Sequence, residues 1–371
     1  MRINSFEIVG LFGRESTITG ELNQDINILT GRNGSGKTSI LKLLWYVVSG
    51  NILLALKEVN FRRATIETDS YKITIHNLSR QTCKIEFEQD GEYTTFEDDV
   101  DEDGDSLSNA EDRANEILRS IGSSVFLPTF RRIEGGFTIP TAGNGLARLA
   151  RNRGDIEESL MALSKNLSNY SHIFVASIST ADIVSLLMKQ YSDLSDSYAQ
   201  IQQTTSQEII ETIKTFKSDS DVTEIAAANR VLDNIRTKIE GMESRREEIM
   251  TPFETMRELV ARLFKHQGIK INSKLSFGEA AGAVNSDSLS AGEKQLLSFI
   301  CYNAFYQNSI IVIDEPELSL HVDWQRQLFP ILQRQQTSNQ FIIATHSPFI
   351  YSKYPDKEIC IDTDRGESEY A

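Results

Sequence analysis

The segment that decides the fold reads Gly31-Arg32-Asn33-Gly34-Ser35-Gly36-Lys37-Thr38. An apolar stretch ending at Thr30 precedes it, and Ser39–Val48, which follows, is apolar at helical spacing. A glycine-rich loop between a strand and a helix is typical of phosphate binding, because its backbone N–H groups and the helix N-terminus both attract anions. The sequence therefore predicts a nucleotide site at a strand-to-helix turn.

Two side chains of this loop have specific expected roles. The Lys37 ammonium would bind the β- and γ-phosphates, and the Thr38 hydroxyl would bind Mg²⁺. The glycines are needed because a Cβ would block the approach of the backbone to the phosphates. The predicted cofactors are therefore ATP and Mg²⁺. The nucleotide-binding residues predicted in this region are Gly31, Asn33, Gly34, Ser35, Gly36, Lys37, Thr38 and Ser39.

A pair of carboxylates, Asp314 and Glu315, ends a short apolar segment that begins at Ser309. Short, β-branched, wholly apolar segments are typical of buried parallel strands, whose carboxyl ends carry ligand sites. We predict that Asp314 holds Mg²⁺ and that Glu315 is the general base for the attacking water. The alternative, two helix-capping acids, is disfavoured by the strand before them and by Pro316 after them.

A histidine, His346, follows a second segment of this kind, Asn339–Ala344. A lone histidine is more often structural or solvated than functional. Its place at a strand end instead predicts a contact with the γ-phosphate. The predicted catalytic residues are Lys37, Glu315 and His346.

The chain has 371 residues and an ordinary composition, with 40% of its residues hydrophobic and 25% charged. Because the parts of one site lie near both ends, we expect one domain with an insertion. No apolar run reaches the ~18–20 residues that span a bilayer, and no signal peptide opens the chain, so we expect a cytoplasmic protein without a membrane segment. Three widely spaced cysteines, Cys83, Cys301 and Cys360, predict neither a disulfide framework nor a zinc site.

The net charge of −15 argues against a surface that coats nucleic acid, so nucleic-acid binding is disfavoured, although a local basic patch would still permit it. Much of the acidity lies between Glu86 and Asp105, which hold eleven acidic residues and no lysine or arginine. We interpret this stretch as a solvated hairpin tip. The alternative is a docking surface for a basic partner.

Three segments follow from changes in pattern along the chain. Residues 1–143 are strand-rich around the phosphate loop, with one helix after Lys37 and another near Ser106–Ile121. Residues 269–371 contain a helix at Trp324–Arg334 between two buried strands. In residues 144–268 the apolar spacing is helical, but heptads are not sustained and Thr251-Pro252 interrupts them, so we expect a compact antiparallel bundle rather than a long coiled coil. Strands predicted in the first segment are Ile3–Val9, Ser16–Leu22, Ile26–Thr30, Ala64–Thr68, Lys72–Asn77, Cys83–Glu88 and Ser124–Leu127.

Leu289-Ser290-Ala291-Gly292-Glu293 and Glu317–His321 complete a set of motifs that resembles the ABC-type ATPase superfamily, in its SMC, RecF and OLD-like branch. The resemblance implies an α/β fold: a P-loop ATPase head with a helical insertion between the Q-loop region and the signature. It also implies a head-to-tail dimer in which the signature contacts the γ-phosphate of the opposite subunit. The signature residues that it assigns to nucleotide binding are Ser290, Gly292 and Glu293.

Two departures qualify this resemblance. The 277 residues between Lys37 and Asp314, and a signature that differs from LSGGQ, disfavour a transporter. The Q-loop region, Pro128–Gly136, contains no glutamine. Arg131 or Arg132 either contacts phosphates or the neighbouring subunit in its place, or forms a structural salt bridge.

Pro128–Gly136, the expected helical region His172–Tyr191 and the short segment after His346 together resemble stand-alone ATPases of bacterial phage-defence systems, in particular those of PARIS systems. That resemblance implies a homo-oligomer that restrains a separate Toprim-type nuclease, senses a phage-encoded trigger protein and then releases the nuclease. The competing hypothesis is an SMC- or RecF-like ATPase of DNA repair or recombination.

Overall fold

A computed structural model describes residues 1–100, 106–129, 132–133, 159–178, 180–215, 224–265 and 290–362. The chain divides into two compact units. The larger unit holds two six-stranded sheets and carries all the motifs described above. The second unit contains two long helices.

The first sheet is antiparallel, with strand order β2-β1-β4-β5-β6-β7. Apolar side chains alternate along its strands and bury one face, as Phe6 and Ile8 do in β1. Asp90 and Gly91 join the last two strands in a tight turn with φ of 54° and 82°. The acidic stretch therefore begins with a β-hairpin. The strands are β1 (Ile3–Val9), β2 (Thr17–Glu21), β4 (Arg63–Thr68), β5 (Lys72–Asn77), β6 (Cys83–Gln89) and β7 (Glu92–Phe96).

The second sheet is parallel throughout, with strand order β12-β10-β14-β15-β3-β16. Its central strands are buried along their whole length, which explains why their sequences are apolar without alternation. Because the strands are parallel, the loops that follow them converge on one edge. The strands are β3 (Ile26–Thr30), β10 (Ser124–Leu127), β12 (His172–Phe174), β14 (Ile310–Asp314), β15 (Gln340–Ala344) and β16 (Glu358–Cys360).

Helix α1 (Lys37–Val48) lies in the core shared by the two sheets. Its Trp45 ring lies 5.6 Å from Phe126 and 5.5 Å from Phe174, centroid to centroid. A buried glutamine also joins the sheets, since the Gln340 amide exchanges hydrogen bonds of 2.8 and 2.7 Å with the backbone of Ile3. The remaining helices of this unit are α2 (Ile52–Glu58), α3 (Ala110–Leu118), α4 (159–167), α7 (Ala291–Phe305), α8 (Val322–Gln333) and α9 (Pro348–Tyr351).

Short elements complete the larger unit. Two-stranded pairings join β8 to β9 and β11 to β13. Single turns of 3-10 helix lie at Leu11–Gly13 and Pro355–Lys357. The short strands are β8 (Asp99–Val100), β9 (Ser106–Ser108), β11 (Arg132–Ile133) and β13 (Ser177–Ile178).

The second unit contains α5 (Thr180–Thr215, 36 residues) and α6 (Glu224–Lys265, 42 residues). These helices pack on each other and are joined by an ion pair of 2.8 Å between Lys238 and Glu208. At 1.5 Å per residue they are about 54 and 63 Å long. The expected compact bundle is therefore wrong for the described residues. The seam between the helices includes polar residues such as Thr205, which hid the heptad spacing.

Two further expectations concern residues 172–174 and the domain boundaries. His172–Phe174 was expected to be helical, but it forms β12, because parallel pairing with β10 overrides local preference. The predicted domain boundaries at residues 143 and 268 lie outside the described residues and stay predictions. Within the described part of the chain, no helix is long and apolar enough to cross a membrane.

Candidate functional site

The carboxyl ends of β3, β10, β14 and β15 bring the predicted residues to one edge of the parallel sheet. Asp314 lies opposite Ala344, and Ala344 lies opposite Leu29, so these three strands end at the same level. The phosphate loop, the carboxylate pair and the histidine follow directly from those strands. The sheet topology therefore assembles one site from segments that are about 280 residues apart in sequence.

The phosphate loop has the backbone that its glycines permit. Gly31, Gly34 and Gly36 have φ of 147°, 78° and 106°, values that other residues rarely adopt. At Gly36 a Cβ would also lie 2.9 Å from the Leu11 side chain and 3.0 Å from the Phe12 ring. The loop is thus a tight cradle that ends at the first turn of α1.

Lys37 is buried, and its ammonium donates hydrogen bonds to the carbonyls of Gly31 (2.9 Å) and Arg32 (3.0 Å). Burial lowers its pKa, and the charges of Glu315, Asp314, Glu317 and Asp362 oppose that shift. Acidic groups therefore surround the lysine. A polyphosphate would approach this site more readily together with a cation, because the carboxylates repel it.

His346 lies near the same lysine. Burial lowers the pKa of its imidazole, the charge of Lys37 lowers it further, and Glu317 and Asp314 oppose the shift. At neutral pH the ring is therefore held in its neutral form. A neutral imidazole keeps one N–H donor, which suits a contact with a phosphate oxygen.

Asp314 is 1% exposed and receives hydroxyl hydrogen bonds on both carboxylate oxygens. Thr38 Oγ1 donates to Oδ1 at 3.2 Å, and Thr129 Oγ1 donates to Oδ2. Carboxylate and hydroxyl oxygens are ligands that Mg²⁺ accepts, usually with phosphate and water completing its shell. No group of three or more His, Cys, Asp and Glu that could hold a metal lies among the described residues. The donor set thus fits a nucleotide-associated Mg²⁺ rather than a metal held by protein alone.

Glu315 has a strained backbone, with φ of 46° in a region that bulky residues avoid. Its N–H still donates to the Ala344 carbonyl at 2.8 Å, which continues the ladder between β14 and β15. Such strain typically costs about 1–3 kcal/mol and concentrates at functional sites. The strained residue Glu315 immediately follows Asp314, the aspartate that would hold the metal.

The turn after Glu315 is tied to the histidine segment by two side chains. Glu317 Oε1 accepts a 2.7 Å hydrogen bond from the His346 N–H. The Gln325 amide donates to the Leu320 carbonyl at 2.8 Å, and its oxygen accepts from the Ser347 hydroxyl at 2.6 Å. Movement of one segment therefore strains the other.

The signature lies at the start of α7. Ser290 caps this helix: its hydroxyl accepts from the Glu293 N–H at 3.4 Å, while Glu293 Oε2 accepts from the Ser290 N–H at 2.8 Å. Gly292 packs so closely that a Cβ there would lie 2.3 Å from the Ser319 carbonyl oxygen. Gln295 donates to the Pro316 carbonyl at 3.1 Å. The helix start is therefore fitted to the turn after β14.

The structure brings together Lys37, Thr38, Asp314, Glu315 and His346, and their catalytic and ligand-binding roles stay predictions. The other loop residues also lie in the cradle or at the first turn of α1: Gly31, Asn33, Gly34, Ser35, Gly36 and Ser39. The roles of Ser290, Gly292 and Glu293 on an opposite subunit stay predictions. Outside the described residues lie Leu289, Arg131 and the side chain of Arg132.

Sequence reasoning missed three residues of this site: Thr129, Asp362 and Gln325. Thr129 follows β10 by two residues, and the strand order β10-β14 was the missing information. Asp362 reaches the phosphate loop because β16 pairs with β3, so that a Cβ on Gly31 would lie 3.5 Å from the Asp362 Cβ. No local pattern marks these residues as functional.

A family model described as "AAA domain, putative AbiEii toxin, Type IV TA system" matches residues 26–352. The chain belongs to this family. The matched range includes the phosphate loop, both carboxylates and His346. The protein is thus an ATPase by family and an α/β P-loop protein by fold, which confirms the predicted fold class.

Individual proteins match this chain less well than the family model does. The chain is 36% identical over 73 residues to the Retron Ec83 probable ATPase of Escherichia coli, an alignment that covers 16% of this chain and 14% of that protein. The chain thus spans a small part of that relative's length. Among solved structures, the Smc head domain of Pyrococcus furiosus bound to the C-terminal domain of ScpA matches with 13% identity and a TM-score of 0.36, covering 95% of this chain and 91% of that one. The Smc head of Pyrococcus yayanosii matches with 12% identity and a TM-score of 0.40, with coverages of 97% and 94%.

Proposed function

We propose that this protein binds and hydrolyses ATP as the switch subunit of an anti-phage defence complex, in which it restrains and releases a separate Toprim-type nuclease. The observation that carries the ATPase part is the contact of 3.2 Å between Thr38 and Asp314, which joins the phosphate loop to the carboxylate pair. Family membership supports the same activity.

The chemistry follows from the positions of the side chains. Lys37 binds the β- and γ-phosphates, and His346 donates a hydrogen bond to a γ-phosphate oxygen. The Glu315 carboxylate orients a water molecule and accepts its proton as the water oxygen bonds to the γ-phosphorus and ADP leaves. Thr38 and Asp314 would hold Mg²⁺, which neutralises charge on the phosphates when it is bound.

The defence part is supported by the matching family, by the relative from Escherichia coli and by the resemblances described above. The description of the matching family names the AbiEii toxin and a type IV toxin–antitoxin system, and the relative from Escherichia coli is the probable ATPase of a retron. A role like that of the PARIS ATPases adds three partners to the proposal: further copies of this chain, a Toprim-type nuclease and a phage-encoded trigger protein. A cytoplasmic location belongs to the same proposal.

We further propose that the active sites are composite. In this proposal the chain forms a homo-oligomer of head-to-tail dimers, in which Ser290, Gly292 and Glu293 of one subunit face the nucleotide of the next. The fit of Gly292 against Ser319 supports it, because any contact made by the signature would be transmitted to the turn that carries Glu317. Binding of ATP would then change the assembly that holds the nuclease.

An SMC- or RecF-like ATPase of DNA repair is the second candidate. The compact bundle that was expected from the sequence would disfavour this candidate, and the long helices α5 and α6 remove that objection. The net charge of −15 still opposes a DNA-coating surface. Stimulation of ATP turnover by duplex DNA at low salt would favour this candidate, and a lack of stimulation would favour defence.

The decisive experiment for the ATPase is Glu315→Gln. The purified variant should bind ATP like the wild type but hydrolyse it at least ~100-fold more slowly, the usual scale of general-base loss. Glu92→Gln, at an exposed position of β7, is the matched control and should hydrolyse normally. Normal turnover by Glu315→Gln would overturn the assignment.

The defence role has its own test. Cells that carry this protein together with a Toprim-type nuclease encoded beside it should survive phage infection better than cells with either protein alone. Protection should disappear with Lys37→Ala. Equal survival of all strains would overturn the defence role and leave the ATPase assignment standing.

A further inference from the structure

Thr129 lies beside the carboxylate that would hold the metal, yet the sequence motifs assign no role to it. It follows β10 by one intervening residue, Pro128, and β10 is the hydrogen-bonded neighbour of β14. The register pairs Leu127 with Ile313, so the chain leaves β10 next to Asp314. The Thr129 hydroxyl then donates to Asp314 Oδ2.

This contact complements the one made by Thr38. One hydroxyl donates to each oxygen of the same carboxylate, Thr38 to Oδ1 and Thr129 to Oδ2. Two hydrogen bonds from opposite sides fix the rotation of a carboxylate about its Cβ–Cγ bond.

The burial of Asp314 makes its orientation matter. The residue is 1% exposed, so solvent cannot satisfy its oxygens if a partner is lost. Partners that orient a metal ligand typically change metal affinity 10–100-fold when they are removed. Thr129 therefore has the position and the chemistry to set the affinity of the site for its cation.

We infer that Thr129 is a positioning residue: its hydroxyl holds Asp314 in the orientation that binds the divalent cation of the nucleotide. The inference rests on the proposed function, since it assigns a role within the same ATP site. It also supplies a polar group in the segment where the superfamily resemblance led us to expect a glutamine. Thr129 acts through Asp314 and not on the phosphates.

The test separates the hydroxyl from the methyl group of the side chain. Thr129→Val keeps the shape and removes the donor, and Thr129→Ser keeps the donor and removes the methyl group. Mn²⁺ serves as the probe, because free and bound Mn²⁺ are distinguished by electron paramagnetic resonance in the presence of ATPγS. Wild type and variants are compared at fixed nucleotide concentration, with Thr129→Ala as a second donor-free variant.

We expect Thr129→Val and Thr129→Ala to bind Mn²⁺ roughly tenfold more weakly than wild type, at the lower end of the effect of losing such a partner. Thr129→Ser should remain within about twofold of wild type, because its hydroxyl is retained. Binding of ATP in EDTA should be equal in all four proteins, because the phosphate loop does not involve this hydroxyl. The same measurement verifies that the variants are folded.

Two results would overturn the inference. One is wild-type affinity for Mn²⁺ in both donor-free variants, and the other is an equal loss in Thr129→Ser and Thr129→Val, which would assign the effect to packing. Failure of the proposed function is a separate result: wild-type protein would then bind no nucleotide, or Lys37→Ala would bind it as tightly as wild type does.

Discussion

Gly292→Ala adds one methyl group where the signature helix meets the turn after β14. The new Cβ would lie 2.3 Å from the Ser319 carbonyl oxygen, whereas real Cβ atoms essentially never approach closer than 3.0 Å. The obstacle is backbone, and Ser319 is already held at φ of 68°. At least 0.7 Å of displacement (3.0 minus 2.3) is therefore needed, and no rotation of a side chain provides it.

The expected cost follows from two opposing effects. Overpacking of a well-packed site costs about 1–3 kcal/mol. Alanine is up to about 1 kcal/mol better than glycine inside a helix, and less so at a first turn. The steric effect is larger, so we expect a net loss of about 1–2 kcal/mol.

Urea unfolding followed by tryptophan fluorescence measures this loss. Both tryptophans, Trp45 and Trp324, lie in the larger unit, so the signal reports on that unit. With a slope of about 1–3 kcal/mol per molar urea, the midpoint should fall by roughly 0.3–2 M. ATP turnover should fall as well, because the turn carrying Glu317 is displaced.

Gly241→Ala is the matched control, because it makes the same chemical change in α6. A Cβ at Gly241 meets no atom within 4 Å, so only the helix preference operates. The change should stabilise the helix pair by about 0.5–1 kcal/mol, measured by far-ultraviolet circular dichroism, and leave the tryptophan transition in place. A neutral or stabilising Gly292→Ala in the fluorescence transition would refute the steric argument.

Three further predictions concern assembly, pH and the segment that carries the histidine. Mixing Lys37→Ala with Ser290→Arg should restore part of the ATP turnover that each variant lacks. Native mass spectrometry would verify that mixed oligomers form. If those mixed oligomers are inactive, the active sites are not composite. Burial lowers the pKa of His172 from 6.5 to about 4. Its contribution to the free energy of unfolding is therefore complete above pH 6.5 and is lost as the pH falls towards 4. The loss amounts to about 2 kcal/mol at pH 5. Urea unfolding at both pH values should show that His172→Gln lacks this loss. Gln325→Ala should lower kcat for ATP roughly tenfold with little change in KM, because it releases the Leu320 carbonyl and the Ser347 hydroxyl; equal changes in both constants would contradict a positioning role.

The strands of the larger unit were predictable because their sequences combine regular patterning with clear ends. Ile3–Val9, Ile26–Thr30, Lys72–Asn77 and Ser124–Leu127 have the predicted bounds to the residue. Gly10, Gly31 and Pro128 stop three of these patterns, and burial on one or both faces makes the patterns strict. The phosphate loop and the carboxylate pair were predictable for the same reason, since the loop directly follows β3 and the pair lies at the end of β14.

What sequence could not supply was the order of the strands. Thr129 becomes part of the site only because β10 is next to β14, and Asp362 only because β16 is next to β3. His172–Phe174 forms a strand through pairing with a distant partner, which local preference does not encode. The long helices were misjudged for another reason: a two-helix pair buries only a narrow stripe, so a seam that includes Thr205 and Lys238 suffices.

The position of β3 has a consequence for how the protein is made. Its neighbours in the described sheet are β15 and β16, which lie more than 300 residues later in the chain. At roughly 5–20 residues per second, a ribosome needs about 15–60 s to supply them. Throughout that interval β3 lacks both of its strand neighbours, and the side of α1 that contacts β14 and β15 lacks those strands for most of it, whereas the α5–α6 pair needs only local contacts. Nascent chains should therefore occupy chaperones until β15 and β16 emerge, and the nucleotide cannot assist folding before then.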